Sequence, residues 1–322
     1  MSAAPIHRVA AAVATLTLVF ASIPSLAETI KVESRFHGKP LNIPAQLLLP
    51  EKRDGAKVPA MIIVHGSGGV RAAREHAYAH EFQALGVAGV MVDSFSPRGM
   101  KSTTRNQDPV SSYDMLVDAV ATLRAIARNP AIDPARIGMI GFSKGGTVAV
   151  KAALQRYMKP LAGEETGFAL LIAMYPWCGD QPLDFRPAGD APLHMLLGAN
   201  DTYAGVEPCR EFAKKFEMQG GKLSLKIYPG AQHGWDTPGS TDWTDGAGQN
   251  ASKCVYDETS PGTWILRGSH IKVTENYKTT GNRKQALAAC MTLGVSGGYS
   301  AQVRAKSLQD IRGAIREAFQ LR

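Results

Sequence analysis

The chain has 322 residues, of which 44% are hydrophobic and 20% are charged. This balance is typical of a folded globular protein and excludes a chain that is mainly disordered. The formal net charge is +8, but the basic residues are scattered rather than gathered into blocks, so the composition does not predict a nucleic-acid-binding protein.

The first 27 residues have the pattern of a cleavable signal peptide. Arg8 is the only charged side chain before Glu28, residues 9–23 are almost entirely apolar, and Ser25-Leu26-Ala27 supplies small residues where a signal peptidase cleaves. The apolar segment is shorter than the about 20 residues of a membrane-spanning helix, and an uncleaved anchor is the alternative. We therefore expect a periplasmic or secreted protein, without a stable membrane span, whose mature chain comprises residues 28–322.

Strands and helices alternate through most of the mature chain. Two strands at 28–35 and 43–50 flank a turn and predict an antiparallel hairpin, and the uninterrupted apolar run at 60–64 predicts a strand buried on both faces. Helices are predicted at 72–85, 111–128, 144–157, 205–219 and 300–320, and further strands at 87–92, 136–140, 168–174, 192–197 and 223–228. This alternation predicts an α/β fold, with a mostly parallel central sheet that helices flank on both faces.

Residues 236–296 interrupt this alternation before the last helix. The segment is rich in Gly, Ser and Thr, and it contains one strand-like segment at 270–274 and one short helical pattern at 283–293. An unstructured loop of this length is uncommon in a compact domain. We therefore expect a small inserted subdomain.

Four cysteines lie in the second half of the chain, at Cys178, Cys209, Cys254 and Cys290, without the C-x-x-C spacing of zinc sites. In an oxidising compartment such cysteines are expected to form disulfides. Four cysteines allow three pairings. Pairing of sequence neighbours, Cys178 with Cys209 and Cys254 with Cys290, is favoured because it closes the shortest loops. A buried free thiol is the alternative.

The strongest motif is Gly141-Phe142-Ser143-Lys144-Gly145-Gly146, which follows the strand at 136–140 and opens a helix. Its G-x-S-x-G pattern is typical of a tight strand-to-helix turn that holds a nucleophilic serine above a sheet. The helix N-terminus also stabilises a developing anion. A glycine-rich turn that only packs a helix on a strand is the alternative. A serine hydroxyl needs a base to take its proton, so we expect a histidine held by a carboxylate nearby.

His233 and Asp201 are the candidates for these two roles. Both follow predicted strands, so their side chains are expected at the carboxyl edge of the sheet. The chain order Ser143, Asp201, His233 is the order in α/β-hydrolases. Asp236 is too close to His233 in sequence to orient its ring easily. The pattern therefore predicts a catalytic triad, with a histidine that merely caps a turn as the alternative.

The segment His65-Gly66-Ser67-Gly68-Gly69 ends the first buried strand. Its glycines let backbone N–H groups approach a substrate oxygen, so the N–H groups of Ser67 and Lys144 are expected to form an oxyanion hole. A plain turn is the alternative for this segment. The side-chain ammonium of Lys144 is expected to be solvated.

Together, HGSGG (65–69), DSFSPRG (93–99), GFSKGG (141–146), GANDTY (198–203) and YPGAQHGW (228–235) resemble the dienelactone hydrolase family of α/β-hydrolases. The resemblance covers about residues 30–235 and the final helix. Members generally have cysteine as the nucleophile, so Ser143 makes this chain similar to the serine-bearing, esterase-like branch. The predicted leader, the cysteines and the 236–296 insertion depart from the compact cytoplasmic form.

The resemblance also suggests residues around the substrate. It implies that Arg98 lies near the pocket mouth, where it could bind a substrate carboxylate; an ion pair with Asp93 or another acid is the favoured alternative. Trp235 is a second candidate for substrate binding. Because the 236–296 insertion begins beside Trp235 and His233, it is expected to form a wall or partial lid of the site, with a surface flap as the alternative.

These observations predict an exported serine hydrolase that cleaves a small ester or lactone through an acyl-enzyme. Its substrate is a small molecule rather than a nucleic acid, and the chemistry needs no metal or organic cofactor. An amidase or peptidase could use the same triad, and a non-catalytic binding protein could keep the same scaffold.

Overall fold

The structure is a computed structural model that describes residues 27–51, 55–163, 167–239, 241–274 and 280–321. The predicted signal peptide, apart from Ala27, lies outside these residues. The strands, in chain order, are β1 (Glu28–Phe36), β2 (Lys39–Leu48), β3 (Val58–Val64), β4 (Ala88–Val92), β5 (Ile132–Phe142), β6 (Leu170–Met174), β7 (Asp180–Gln181), β8 (Leu193–Gly198), β9 (Leu223–Tyr228), β10 (Trp243–Asn250), β11 (Tyr256–Ser260), β12 (Thr263–Leu266), β13 (Lys272–Thr274) and β14 (Thr292–Gly297). The helices are α1 (Ala77–Ala84), α2 (Ser112–Ala127), α3 (Lys144–Ala152), α4 (Gln155–Ala162), α5 (Glu207–Met218), α6 (Thr280–Cys290) and α7 (Ala301–Phe319).

Eight of the described strands form the main sheet, in the order β1-β2-β4-β3-β5-β6-β8-β9. The hairpin β1–β2 is antiparallel and β2 also pairs antiparallel with β4, whereas the pairs from β4 to β9 are parallel. Parallel strands need crossover connections, and intervening helices supply all of them except that from β6 to β8, which contains only β7. This arrangement confirms the predicted α/β-hydrolase fold with its mostly parallel central sheet.

The alternation of side chains along β3 shows how the two faces of the sheet are covered. Ile62 and Val64 pack in one apolar cluster with residues of α2, α3 and α5, and Met61 and Ile63 pack in a second cluster with residues of α1 and α7. Every residue of β3 is buried. Burial on both faces explains why the run at 60–64 shows no polar alternation.

The predicted helix at 144–157 is two helices in the structure. Leu154 lies between α3 and α4 in an extended conformation and forms an isolated bridge with Pro187. The N–H of Gln155 donates to Arg186 O, and the N–H of Ala188 donates to Ala153 O. A segment distant in sequence therefore takes the hydrogen bonds that would have continued the helix, and periodicity alone does not reveal this exchange.

The 236–296 insertion contains more strands than its sequence predicts. In it β11, β12 and β13 form an antiparallel sheet, to which β7 adds in parallel, and β10 pairs with β14. The predicted strand corresponds to β13 and the predicted helix to α6, which begins and ends three residues earlier than expected. A small apolar cluster of its own includes Tyr256, Trp264, Leu266 and the buried pair Cys254 and Cys290.

Two disulfides connect the four cysteines. Cys178 bonds Cys209 and ties the loop after β6 to α5, and Cys254 bonds Cys290 and ties the start of β11 to the end of α6. These are the pairs that the sequence favours. Across the described ranges, no helix combines the length and the apolar character that a bilayer crossing requires.

Candidate active site

Ser143 occupies a strained turn between β5 and α3, with φ of 55° and ψ of −114°. A Cβ atom on Gly141 would lie 1.9 Å from the carbonyl oxygen of Gly145, and one on Gly145 would lie 2.2 Å from that of Val64. On Gly146 it would lie 2.6 Å from Met174 O. The glycines of the motif are therefore required by backbone atoms that approach too closely for any side chain, and the turn leaves the Ser143 hydroxyl above the sheet edge.

His233 joins Ser143 to Asp201 by two hydrogen bonds. Its Nε2 atom lies 2.9 Å from Ser143 Oγ, and its Nδ1 atom lies 2.7 Å from Asp201 Oδ2. Asp201 follows β8 and His233 follows β9, so parallel neighbouring strands deliver both side chains to the edge where β5 delivers the serine. The structure thus brings together the three residues that the sequence predicts as a triad.

The Asp201 carboxylate is fixed by its own loop. Its Oδ1 atom accepts hydrogen bonds from the N–H groups of Tyr203 and Ala204, both at 2.9 Å, and the residue is buried. The His233 ring is held between two tyrosines, with the ring of Tyr175 at 4.8 Å and that of Tyr203 at 4.6 Å. The carboxylate can therefore select the tautomer of His233 that carries hydrogen on Nδ1 and leaves Nε2 free to accept.

Ser67 and Lys144, the two predicted oxyanion-hole residues, line the same space as Ser143 and His233. The loop that carries Ser67 is braced by the buried His65, whose Nδ1 atom contacts Gly66 O at 2.8 Å and whose Nε2 accepts from the N–H of Ser94 at 3.2 Å. Burial lowers the pKa of His65. A neutral ring with hydrogen on Nδ1 satisfies both contacts and holds the glycine-rich loop in place.

The ammonium of Lys144 is not solvated, so that expectation is wrong. It donates to Thr103 Oγ1, to Gln107 O and to Val110 O at 2.7 to 3.1 Å. The loop at 101–110 lacks regular structure, and its carbonyl groups need partners that a nearby cation supplies. Lys144, which directly follows Ser143, therefore anchors the 101–110 loop by three hydrogen bonds.

Gln107 is a residue that the sequence analysis missed. Its side chain accepts from Ser67 Oγ at 3.0 Å and donates to the Tyr203 hydroxyl at 3.4 Å, and its N–H donates to Gln249 Oε1 in the insertion. It thereby links the oxyanion-hole loop, the tyrosine beside His233 and the insertion. No motif marks it, because its partners come from three distant segments.

The structure contradicts a substrate-binding role for Arg98. Its guanidinium makes a bidentate pair with Asp118 at 2.8 and 3.1 Å, donates to Ser94 O and stacks on the Phe36 ring. The Arg98 side chain is 2% exposed and that of Asp118 is fully buried. Burial raises the pKa of Asp118 and the facing Arg98 opposes that rise. Arg98 is a structural ion-pair residue, as the favoured alternative held, although its partner is Asp118 rather than Asp93.

Trp235 is likewise not a pocket residue. It is fully buried, its ring packs against Tyr175 at 4.9 Å and Tyr228 at 5.5 Å, and its Nε1 donates to Ser307 Oγ on α7. The φ of 70° at Gly234 accompanies a turn of the chain in which His233 faces the site and Trp235 faces the core. The substrate-binding prediction for Trp235 is therefore wrong.

Asp236 forms a buried contact of its own next to the triad. It is fully buried and accepts from the Tyr175 hydroxyl at 2.7 Å. Burial raises the pKa of its carboxyl. The Nδ1 atom of His233 bonds Asp201 instead, in agreement with the prediction of Asp201 as the orienting carboxylate. Tyr175 thus contacts both the buried carboxyl of Asp236 and the His233 ring.

Two spaces meet at Ser143 and His233. The first, which we call the inner compartment, has a volume of about 140 Å³ and is lined by Thr147, Trp177, Ala204, Ala251, Tyr256, Leu287 and Met291. The second, the outer cleft, has a volume of about 730 Å³ and is lined by Arg71, Ser102, Thr104, Arg105, Asn106, Thr237, Trp243 and Asp245. Ser67 and Tyr203 border both spaces. A substrate centred on the serine can therefore extend to either side.

Comparisons with known proteins agree with this fold. The sequence matches the dienelactone hydrolase family over residues 43–259. It is 26% identical over 219 residues to the uncharacterized peptidase YuxL of Bacillus subtilis, a match that covers 58% of this chain and 33% of that protein. It is 25% identical over 186 residues to a probable 2-oxo-3-(5-oxofuran-2-ylidene)propanoate lactonase of Bradyrhizobium, covering 55% of this chain and 73% of the relative.

The chain thus spans about a third of the length of the Bacillus relative. Among solved structures, it superimposes on an esterase of the planctomycete Thermogutta terrifontis with a TM-score of 0.52 and 18% identity, covering 66% of this chain and 85% of that one. This likeness concerns the fold. Because the family match extends over more than half of the sequence, the chain belongs to the dienelactone hydrolase family, a family of carboxylic ester hydrolases with the α/β-hydrolase fold.

Proposed function

We propose that this protein hydrolyses small carboxylic esters or lactones through an acyl-enzyme formed on Ser143. The observation that carries the proposal is the unbroken series of contacts from Asp201 through His233 to Ser143, at 2.7 and 2.9 Å. Such a series gives the hydroxyl a base within reach and gives the base a partner that stabilises its charge.

The reaction follows from these positions. Ser143 Oγ attacks the substrate carbonyl carbon as His233 Nε2 takes the hydroxyl proton, and Asp201 stabilises the imidazolium that forms. The N–H groups of Ser67 and Lys144 donate to the carbonyl oxygen as it becomes negative. The carbonyl–leaving-group bond then breaks, and His233 returns its proton to the departing oxygen. Water, activated by the same histidine, releases the acid and restores Ser143.

The names of the relatives support an ester or lactone rather than an amide. The Bradyrhizobium relative is named a probable lactonase, and a Synechocystis relative, 25% identical over 146 residues, is named a putative carboxymethylenebutenolidase. The Bacillus relative is named a peptidase, and the same triad could attack an amide. Parallel assays with an ester and the amide of the same acid separate the two activities.

We further propose that the 236–296 insertion is a wall of the active site. Gln249, Ala251, Cys254 and Tyr256 line the inner compartment together with Lys144. Gln249 also accepts from the N–H of Gln107, and its own N–H donates to Thr104 O. These contacts favour a fixed wall over a detached surface flap.

We also propose that the protein is exported after removal of residues 1–27. The apolar leader pattern of the sequence supports export, and so do the two disulfides, because oxidising compartments preserve such bonds. The intact mass of protein isolated from the cell envelope tests this proposal: a chain that begins at Glu28 and lacks four thiol hydrogens supports it, and a chain with residues 1–27 attached contradicts it.

Kinetics of a matched pair of serine variants tests the proposed activity. Ser143→Ala should lower kcat for ester hydrolysis by about 10⁴-fold or more, because the residual rate comes only from binding and the oxyanion hole. Ser260→Ala, on an exposed residue of β11, serves as the control and should retain wild-type kcat. A Ser143→Ala variant with near-wild-type activity would exclude Ser143 as the nucleophile.

A further inference from the structure

The two spaces that meet at Ser143 differ in chemistry. The inner compartment is mainly apolar, with Trp177, Ala251, Leu287 and Met291 among its walls, and its lining residues are all buried or half-buried. In the outer cleft, by contrast, Arg71, Ser102, Arg105 and Asn106 are exposed. An unsymmetrical site of this kind suits a substrate with two unlike halves.

We infer that the substrate is an ester of a short apolar acid with a bulkier polar alcohol, the acyl group lying in the inner compartment and the alcohol in the outer cleft. This inference rests on the proposed function, and it adds which half of the ester each space receives.

The volume of the inner compartment sets the length of the acyl chain. An apolar cavity of about 150 Å³ holds a benzene-sized group of six carbon atoms. The compartment, at about 140 Å³, therefore accepts a chain of about four to six carbons. Leu287 lies in α6, Met291 directly follows α6 and Ala251 directly follows β10. All three belong to the insertion, which therefore sets this limit.

The order of the reaction steps at Ser143 determines which half of the ester lies in which space. After the first step the acyl group stays bonded to Ser143 Oγ, while the alcohol must leave and a water must enter. The narrow compartment without exposed lining residues suits the half that stays. The wider cleft suits the half that leaves, and Gly234 and Thr237, which follow His233, line it. Thus the departing oxygen is next to the proton on His233 Nε2 while the rest of the alcohol lies toward solvent.

Polar groups make up a larger share of the outer cleft's lining than of the inner compartment's. Hydroxyl and amide groups of Ser102, Thr104, Asn106 and Thr237 line it, and Arg105 pairs with Asp245 at 3.1 Å on the exposed rim. Groups of this kind bind polar atoms such as alcohol hydroxyls. An alkyl chain that covers them removes their bound water and offers no hydrogen bond in its place. The leaving alcohol is therefore polar.

Two ester series test the assignment. The first has glycerol as the alcohol and acetyl, butanoyl, hexanoyl or decanoyl as the acyl group; the second has butanoyl as the acyl group and methanol, butanol, glycerol or glucose as the alcohol. Release of acid is followed by pH-stat titration. For the wild type we expect kcat/KM to be highest at butanoyl or hexanoyl and at least about 10-fold lower at decanoyl. We also expect glycerol and glucose esters to be hydrolysed faster than the butanol ester.

Two substitutions then alter the compartment alone. Ala251→Phe should fill the inner compartment and lower kcat/KM for the hexanoyl ester by about 30-fold relative to the acetyl ester. Met291→Ala should enlarge the compartment and raise kcat/KM for the decanoyl ester. Neither should change the ranking of alcohols. The matched control is Ala247→Phe, on an exposed residue of β10 that lines neither space, and it should leave both series unchanged.

The outcomes separate this inference from the proposed function. If Ser143-dependent hydrolysis is found but Ala251→Phe and Met291→Ala alter alcohol selectivity rather than acyl selectivity, or alter neither, the assignment of the halves is overturned while the proposed function stands. If the wild type hydrolyses no ester of either series, the inference is overturned together with the ester part of the proposed function. If Ala251→Phe does not fold, Met291→Ala decides by the same criterion.

Discussion

Asp201→Asn tests the triad sharply because its surroundings dictate how the new amide must point. The Oδ1 atom of Asp201 accepts from the N–H groups of Tyr203 and Ala204 at 2.9 Å. An asparagine at this position keeps its oxygen on those two donors, so its NH₂ group faces Nδ1 of His233. Nδ1 must then accept a hydrogen bond, and the ring hydrogen moves to Nε2.

The moved hydrogen blocks catalysis. His233 Nε2 lies 2.9 Å from Ser143 Oγ and has to accept the hydroxyl proton during attack, which a protonated Nε2 cannot do. We therefore expect kcat to fall by about 10⁴-fold, the loss that the same substitution causes in another Ser-His-Asp enzyme. This loss corresponds to about 5 kcal/mol of transition-state stabilisation.

The assay is steady-state hydrolysis of glycerol monobutanoate, with circular dichroism to check that the variant folds. Asp190→Asn is the matched control, because the Asp190 side chain is fully exposed and lines neither space at Ser143. The control should keep wild-type kcat. An Asp201→Asn variant that folds and retains more than about a tenth of the wild-type kcat would refute the tautomer argument.

Three further predictions concern the surroundings of the site. Arg98→Met leaves the buried Asp118 carboxylate without its cation. Urea denaturation should therefore show a loss of about 3–5 kcal/mol in the free energy of unfolding, while KM stays unchanged. A raised KM at unchanged stability would contradict the ion-pair role. Replacing Cys254 and Cys290 by Ala removes a disulfide between residues 36 positions apart in sequence, which in the chain-entropy model costs about 4 kcal/mol of stability. The insertion should therefore exchange its amide hydrogens faster with solvent. Unchanged exchange rates would contradict this prediction. Burial raises the pKa of Asp236 above its ordinary 3.8, so ionising it costs the folded state stability as pH rises. Asp236→Asn should therefore gain in Tm relative to wild type between pH 4 and pH 8, and an equal Tm difference at both pH values would count against that account.

Much of the fold could be predicted from the sequence because local patterns determine it. Uninterrupted apolar runs such as that at 60–64 indicate strands buried on both faces, and Gly141, Gly145 and Gly146 mark a turn that only glycine permits. Ser143 follows β5, Asp201 follows β8 and His233 follows β9. These strands run parallel in one sheet, so the meeting of the three side chains at one sheet edge could be expected before any distance was known.

The errors arose where a residue's partner lies far away in the chain. Arg98 follows a strand that ends at the site, but its guanidinium turns to Asp118 on α2, and Trp235 adjoins the triad histidine but packs toward α7. Lys144 differs from expectation for the same reason, because its acceptors belong to a loop about forty residues earlier. Sequence position alone does not determine which way such side chains turn.

The insertion was the least predictable region. Its strands are short and rich in polar residues, and one of them, β11, pairs with β7, which lies more than seventy residues earlier in the chain. Such strands are stabilised by pairing and by the small cluster around Cys254 rather than by their own alternation. The substrate preference that we infer depends on this region.

The most direct test of the central claim is to find the acyl group on the enzyme. The full-length protein is mixed with 4-nitrophenyl butanoate, quenched in acid within milliseconds, digested and examined by tandem mass spectrometry. We predict that a butanoyl group is found on the peptide that carries Ser143 and that fragmentation assigns it to that residue. The Ser143→Ala protein treated in the same way should carry none. Butanoyl on another residue, or catalytic turnover without any acylated peptide, would contradict the account.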